Sequence, residues 1–318
     1  MGVSAPFDDE APLASLLPPD GDRSVIGAVE SAVRTAGRRL CEADPRLNDA
    51  LVRLWGYYVR LYPAIANGTA WRRIAAPAPI DPFRVVEVDP DDVEYMVEDG
   101  AMPRQARDRE VFPKPRFKYA GAVIGGDWDR SRRRFEDSEL YRSFEAHFER
   151  GVAWTDTPFF ATALDHVEDG TALWGCSSRA ELIDRCRELD DLYAAIDRHG
   201  YRSQRNLVDA DVEDPVDGDD TRPYHVRLVN DELAVCVGRE GELLFYDGRD
   251  RLAIAKLLDL DSIPVWLLVR HRRWQRLRNA IAQDPSFFDR LPDRLRSHPD
   301  VRPERGWIRR RSGPGRSD

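Results

Sequence analysis

Lysine is nearly missing from this chain. Lys114, Lys118 and Lys256 are its only lysines, although Lys and Arg together number 48, so arginine carries the positive charge. Acidic residues number 57 and the formal net charge is −9, which excludes a histone-like, generally DNA-coating protein but leaves room for a local basic patch. Cysteine is scarce too. Cys41, Cys176, Cys186 and Cys236 form no C-x-x-C pair and no zinc spacing, which argues against a disulfide scaffold or a zinc ribbon. Cys186 and Cys236 have apolar neighbours and read as buried thiols, as expected of a reducing, cytoplasmic compartment. No apolar run approaches the ~18 residues of a membrane span, so no membrane partner is expected. The opening MGVSAPFDDEAPLASLLPPDGD lacks the basic start and apolar core of a signal peptide. Its Met1-Gly2 start is followed by Pro6 where a myristoylation site needs Ser or Thr. H-E-x-x-H, G-x-S-x-G and the Walker A pattern are all absent.

What is present supports a folded core. Of the 318 residues, 42% are hydrophobic and 8 are tryptophan, enough for one large domain or two modest ones. Scarce lysine with abundant aspartate resembles the composition of proteins from salt-loving archaea; a GC-rich genome favouring arginine codons gives the same bias. Residues 1–22 are rich in Pro and Asp and read as disordered. Residues 23–75 read as a helical region. Its first helix carries Ile26, Val29, Val33 and Leu40. Its second, from an Asn48 cap to Pro63, carries Leu51, Leu54, Trp55, Tyr58 and Leu61. Residues 76–83 look like a Pro-rich linker, 84–88 a strand, 91–97 a helix, 100–118 a loop and 119–124 a strand. Leu140, Phe144 and Phe148 mark a helix over 136–150. Ser178 with Glu181 forms a capping box that opens the clearest helix, 177–197, which Gly200 stops. The acidic stretch 207–222 reads as an exposed loop. Its alternating Asp209, Asp211 and Glu213 are not a calcium loop, because the sixth position is Asp214 rather than Gly. Residues 233–269 then spell strand, hairpin turn, strand, Gly-containing turn, helix and buried strand. Further helices fill 272–305, and 306–318 is a basic tail.

Four groups of residues could carry chemistry. The turn Asp247-Gly248-Arg249-Asp250-Arg251 opens a helix. Glycine permits a positive φ there, the helix start offers N–H groups to an anion, and arginine suits phosphate. In Gly125-Gly126-Asp127-Trp128-Asp129, the carboxylates of Asp127 and Asp129 could hold Mg²⁺ or act as a base in phosphoryl transfer, or simply cap a turn. Glu87 and Glu94 are rival acids. His147, Trp154, Thr155, Trp174, Gly175 and Cys176 are pocket-type residues with no spacing that ties them to a metal or triad, and His271 ends a strand. Last, residues 270–318 hold fourteen arginines against six acidic residues, with Trp274 and Trp307 interleaved. That segment could touch DNA, or neutralise the protein's own acidic surface.

The string VCVGREGELLFYDGRDRLAIAKLLDLDSIPVWLLVRH resembles the ParB/sulfiredoxin superfamily in the order strand, hairpin, G-x-x-R turn, helix and I-P-V strand. The resemblance covers about residues 185–271, with the strand at 84–88 as an outlying part. It implies a phosphate site at Asp247, Gly248, Arg249, Asp250 and Arg251, and a nucleoside triphosphate with Mg²⁺ as ligand. Members of the superfamily bind CTP and clamp DNA, phosphorylate small molecules, or repair oxidised thiols. Three departures matter. Sulfiredoxins place a catalytic Cys where Arg249 stands. Many relatives have His where Asp250 stands, and a carboxylate beside a phosphate is unhelpful. The partition proteins continue into a helix-turn-helix domain, whereas only one or two helices are read after residue 271, too little for one.

The expected fold is therefore α+β. An N-terminal helical region precedes a ParB/sulfiredoxin-like domain over 84–271, with helices around a small mixed sheet and a β-β-α-β core within 185–271. The expected function is nucleotide or phosphate binding, with phosphotransferase or NTPase activity one form of it. Asp127 and Asp129 would then be the catalytic and metal-holding residues. The alternatives are a non-catalytic, DNA-associated ParB-like protein and an interaction module whose ancestral site has decayed. The residues leave open whether the chain is an enzyme.

Overall fold

The computed structural model describes residues 36, 39–40, 47–66, 77–97, 115–170, 174, 176–210 and 222–301. Its elements run helix α1 (Asn48–Ala66), then strands β1 (Val85–Val88), β2 (Tyr95–Met96) and β3 (Ala122–Ile124). Helices α2 (Glu139–Phe148), α3 (Pro158–Glu168), α4 (Arg179–His199), α5 (Gln204–Ala210) and α6 (Tyr224–Asp231) follow. Next come β4 (Ala234–Val237), β5 (Leu243–Asp247), helix α7 (Arg249–Leu257) and strand β6 (Ile263–His271). Helices α8 (Arg272–Gln283), α9 (Ser286–Asp289) and α10 (Asp293–Arg296) complete the described part. The fold is α+β, built on a mixed sheet.

Strand β6 organises that sheet, whose order is β1-β6-β4-β5-β2. All nine residues of β6 are buried. Along one edge it pairs first with β1, antiparallel, and then with β3, parallel. Along its other edge it pairs with β4, parallel, and β4 forms an antiparallel hairpin with β5. Strand side chains alternate between faces, and the sequence uses both. Val235, Val237, Leu243, Phe245, Val265 and Leu267 belong to one apolar cluster, with Leu140, Phe144, Leu182, Leu189 and Leu252 of α2, α4 and α7. Ala234, Cys236, Leu244, Tyr246, Trp266 and Leu268 belong to a second cluster, with Val59 of α1, Phe117, and Leu228 and Val229 of α6. The sheet is thus covered on both sides, and the parallel β4–β6 pair is bridged by α7.

The strand, hairpin, strand, helix and strand order read over 233–269 is present at nearly the same boundaries. Helix α4 starts as expected: Ser178 accepts the Glu181 N–H, and Glu181 reaches back to the N–H and hydroxyl of Ser177. Other readings change. Residues 91–97 are not a helix. A short 3-10 turn, Pro90–Asp92, leads into β2, whose Tyr95 and Met96 lie parallel to Leu244 and Phe245 at the sheet edge. The linker is no linker: Ala78 and Ile80 are fully buried, and α8 grips the segment through Asn279, Gln275 and Arg278. Pro63 does not end α1, which continues to Ala66. The first residues of the acidic stretch are helical, in α5. Residues 211–221, most of 23–46, the myristoylation-like start and the basic tail lie outside the described residues. Among the described residues, no helix is long and apolar enough to cross a membrane.

Candidate functional site

The turn from β5 into α7 is rigidly built. Gly248 has φ +96°, in the left-handed region, and a Cβ there would lie 2.9 Å from the Cα of Leu233. Only glycine fits both the dihedral and the close approach. It supplies no side-chain oxygen, so helix α7 starts without a side-chain cap. Asp247, just before it, is fixed from two directions. Its Oδ1 accepts the Gly248 N–H, and its Oδ2 pairs with Arg116 Nη1 at 2.8 Å. Arg116 is itself buried and donates to the carbonyls of Leu228, Val229 and Glu232, closing the C-terminal end of α6.

Asp250 is engaged by side chains from outside its own helix. Its Oδ2 pairs with Arg185 Nη2 of α4 at 2.8 Å, and Trp174 Nε1 donates to both of its oxygens at 3.2 and 3.3 Å. This pairing neutralises the carboxylate that the sequence had placed awkwardly beside a phosphate. Arg249 stands next to it, partly exposed. Its guanidinium lies 5.2 Å from the centre of the Phe159 ring and 6.0 Å from that of Trp174, and its nearest ion pair is a loose 3.8 Å contact with Asp250. Arg251 is buried at the same helix start. Trp174 has φ +62°, rare for a residue with a side chain, and its ring meets Phe159 edge-on at 4.7 Å. Two of the sequence-level candidates, the Gly248 turn and Trp174, therefore meet at one place.

Asp127 and Asp129 lie elsewhere. Arg239, in the β4–β5 turn, binds them both. Its Nε and Nη2 reach Asp129 at 2.7–3.1 Å, its N–H donates to Asp129 Oδ2 at 2.7 Å, and its Nη2 reaches Asp127 at 2.8 Å. Burial alone would raise the Asp129 pKa; the bonds from the Arg239 side chain and N–H outweigh it and hold the carboxyl below its usual value. The same bonds raise the Arg239 pKa, Asp129 foremost. Arg239 precedes β5 and Gly248 follows it, so the five-residue strand, about 16 Å long, lies between the two groups. This donor set does not suit Mg²⁺, because a guanidinium already occupies both oxygens of Asp129. No group of three or more metal-type side chains occurs among the described residues. The rival acids are also engaged: Glu94 pairs with Arg134 at 3.1 Å, and Glu87 accepts from Ser262.

His271 and His147 are both held by hydrogen bonds. His271 caps α8, its Nδ1 accepting the Arg273 N–H, so its Nε2 carries the proton given to the Gly126 carbonyl. His147 lies between the Val152 carbonyl and Asp190, stacked on Trp154, whose Nε1 also donates to Asp190. The two thiols are buried, as expected. Burial pushes Cys186 up to about 12 and also raises Cys236.

Sequence reasoning missed Arg116, Arg185 and Arg239, because each acts across 65 or more positions of chain. Among so many arginines, nothing local marks these three. Comparison with known proteins brings no match from any family model, curated protein or solved structure.

Proposed function

We propose that the protein binds the phosphate group of a nucleotide at the turn from β5 into α7. The observation that carries this reading is Gly248: a left-handed residue, locked against Leu233, that opens a nine-residue helix with no side-chain cap. An anion at such a helix start meets backbone N–H groups and the positive end of the helix dipole. Arg249 adds a partly exposed guanidinium braced on Phe159. The β4-β5-α7-β6 connectivity around the turn agrees with the resemblance to the ParB/sulfiredoxin superfamily, which is the reason to expect a nucleoside triphosphate rather than free phosphate.

The reading is one of binding. Asp247 and Asp250, the carboxylates of the turn, are both paired with arginine. Phosphotransferase or NTPase activity would need its base from the ligand's second substrate or from another residue. The engagement of Asp250 also favours the second reading, an interaction module in which the turn is purely structural.

Thermal unfolding in high KCl with Mg²⁺ and CTP, ATP, ADP or GTP separates the two. Ligand at a hundred times its Kd adds about 2.7 kcal/mol, a plain rise in Tm. The expected result is a rise with one nucleotide that Arg249→Ala abolishes without lowering the Tm of the free protein. If no nucleotide shifts the folded protein, or if Arg249→Ala leaves the shift intact, the phosphate site is not at this turn.

A further inference from the structure

Three arginines gather around one buried carboxylate. Arg270, near the end of β6, holds Asp300 through Nε at 2.9 Å and Nη2 at 2.8 Å. Arg278 of α8 reaches the same carboxylate with Nε at 3.3 Å, and Arg84, just before β1, stands 3.9 Å from it. The side chains of Arg270 and Asp300 are both 0% exposed, and that of Arg278 is 1% exposed. A guanidinium is protonated at every ordinary pH, so burial cannot discharge it as it can a lysine. Arg270 therefore needs a counter-charge inside the protein. Among the described residues, the carboxylate it meets is Asp300, whose single negative charge is shared with Arg278.

The hydrogen bonds point the same way. A guanidinium has five N–H donors in a rigid plane. In Arg270 the Nε and Nη2 edge is spent on Asp300, and Nη1 lies outside that edge. Nη1 is shut off from solvent and meets no acceptor among the described residues. A buried polar group left in this way marks a place for a water or an ion. A water would accept the bond but bring no charge. An anion does both.

We propose that Arg270 Nη1 holds a small monovalent inorganic anion, chloride, as a built-in part of the fold. Enclosure sets the class of ligand. Arg270, Arg278 and Asp300 are all closed to solvent, so the occupant is an ion small enough to be surrounded whole. The site shares no residue with the turn from β5 into α7, and neither reading depends on the other. Chloride here would act on stretches far apart in the chain: Asp300 lies 30 positions from Arg270 and 22 from Arg278.

Two measurements on the full chain give the test. Crystals grown in bromide are expected to show an anomalous peak in contact with Arg270 Nη1, which a water cannot give. In solution, chloride replaces gluconate at fixed potassium concentration and ionic strength, so that screening stays constant. Tm is expected to rise with the logarithm of chloride concentration once the site is mostly filled. Arg270→Met is expected to lose that rise, and Arg142→Met, at an arginine 63% exposed, to keep it. Should Arg270→Met fail to fold, the bromide peak and the wild-type curve decide. A water at Nη1 overturns the proposal, as does a wild-type Tm indifferent to chloride. Bromide on exposed arginines alone is an adventitious ion only, and a peak at Nη1 without the Tm response is binding at crystal concentration only; both overturn it. A rise that survives in folded Arg270→Met places the anion elsewhere and overturns it too.

Discussion

His298 lies in a charged, buried neighbourhood. Its Nδ1 accepts the Asp300 N–H, and its ring meets Trp274 edge-on. Asp300 in turn is held by Arg270 through two bonds and by Arg278, with Arg84 nearby, and Trp274 Nε1 donates to it as well. Burial first, and then the nearby Arg270 and Arg278, hold the His298 pKa down to about 4 from its ordinary 6.5, against the pull of Asp300. Between those two values the unfolded chain binds a proton that the folded chain refuses. Stability from this residue is therefore complete above pH 6.5 and is lost as pH falls towards 4, by about 3 kcal/mol. Urea unfolding of wild type and His298→Asn at pH 7 and pH 4.5 measures it. The variant is expected to be less stable at pH 7 and to lose less on acidification; equal losses would place the acid sensitivity elsewhere.

Helix α7 shows how one element is held by partners far away in the chain. At its start Asp250 pairs with Arg185 of α4, and near its end Lys256 pairs with Asp91 and Glu136. Replacing Asp250 with Asn removes a negative charge from the helix start and takes one carboxylate away from Arg185. Nucleotide affinity is expected to rise roughly fivefold, the size of one charge near a helix end, while Tm of the free protein falls. Titration of both proteins with the nucleotide that shifts Tm gives the comparison, and unchanged affinity would mean that the anion sits away from this carboxylate. The helix itself was legible in the sequence. So were β4, β5 and β6, because their alternation and the Gly248 turn are local signals. Strand β2 was not: it is two residues long and becomes a strand only by lying beside Leu244 and Phe245. The buried course of residues 77–83 was hidden for a similar reason, since prolines advertise a loop while the contacts that bury it come from α8. At the site, the glycine and its arginines could be read. The pairing that silences Asp250, and the guanidinium that occupies Asp129, depend on folding together distant stretches of chain.

At the scale of the molecule, charge and topology matter most. A net charge of −9 repels itself in the compact state. Salt screens that repulsion, while exposed ion pairs such as Arg142–Asp137 contribute little to begin with. The buried pairs, Arg270–Asp300 and Arg116–Asp247, are shielded from screening. Tm is therefore expected to rise with KCl from low to molar concentration; a fall would show that surface pairs outweigh the net repulsion. The position of β6 has a further consequence, for the order in which the protein is made. Among the described strands it is the last to leave the ribosome and the one with which β1, β3 and β4 all pair. At about 5–20 residues per second, roughly ten to forty seconds separate the synthesis of Val85–Val88 from that of their partner. During that interval β1 and β3 have no neighbour to bond to, and the apolar faces they will cover stand open. A nascent chain of this protein must wait, unfinished, for residues 263–271 before the sheet can exist.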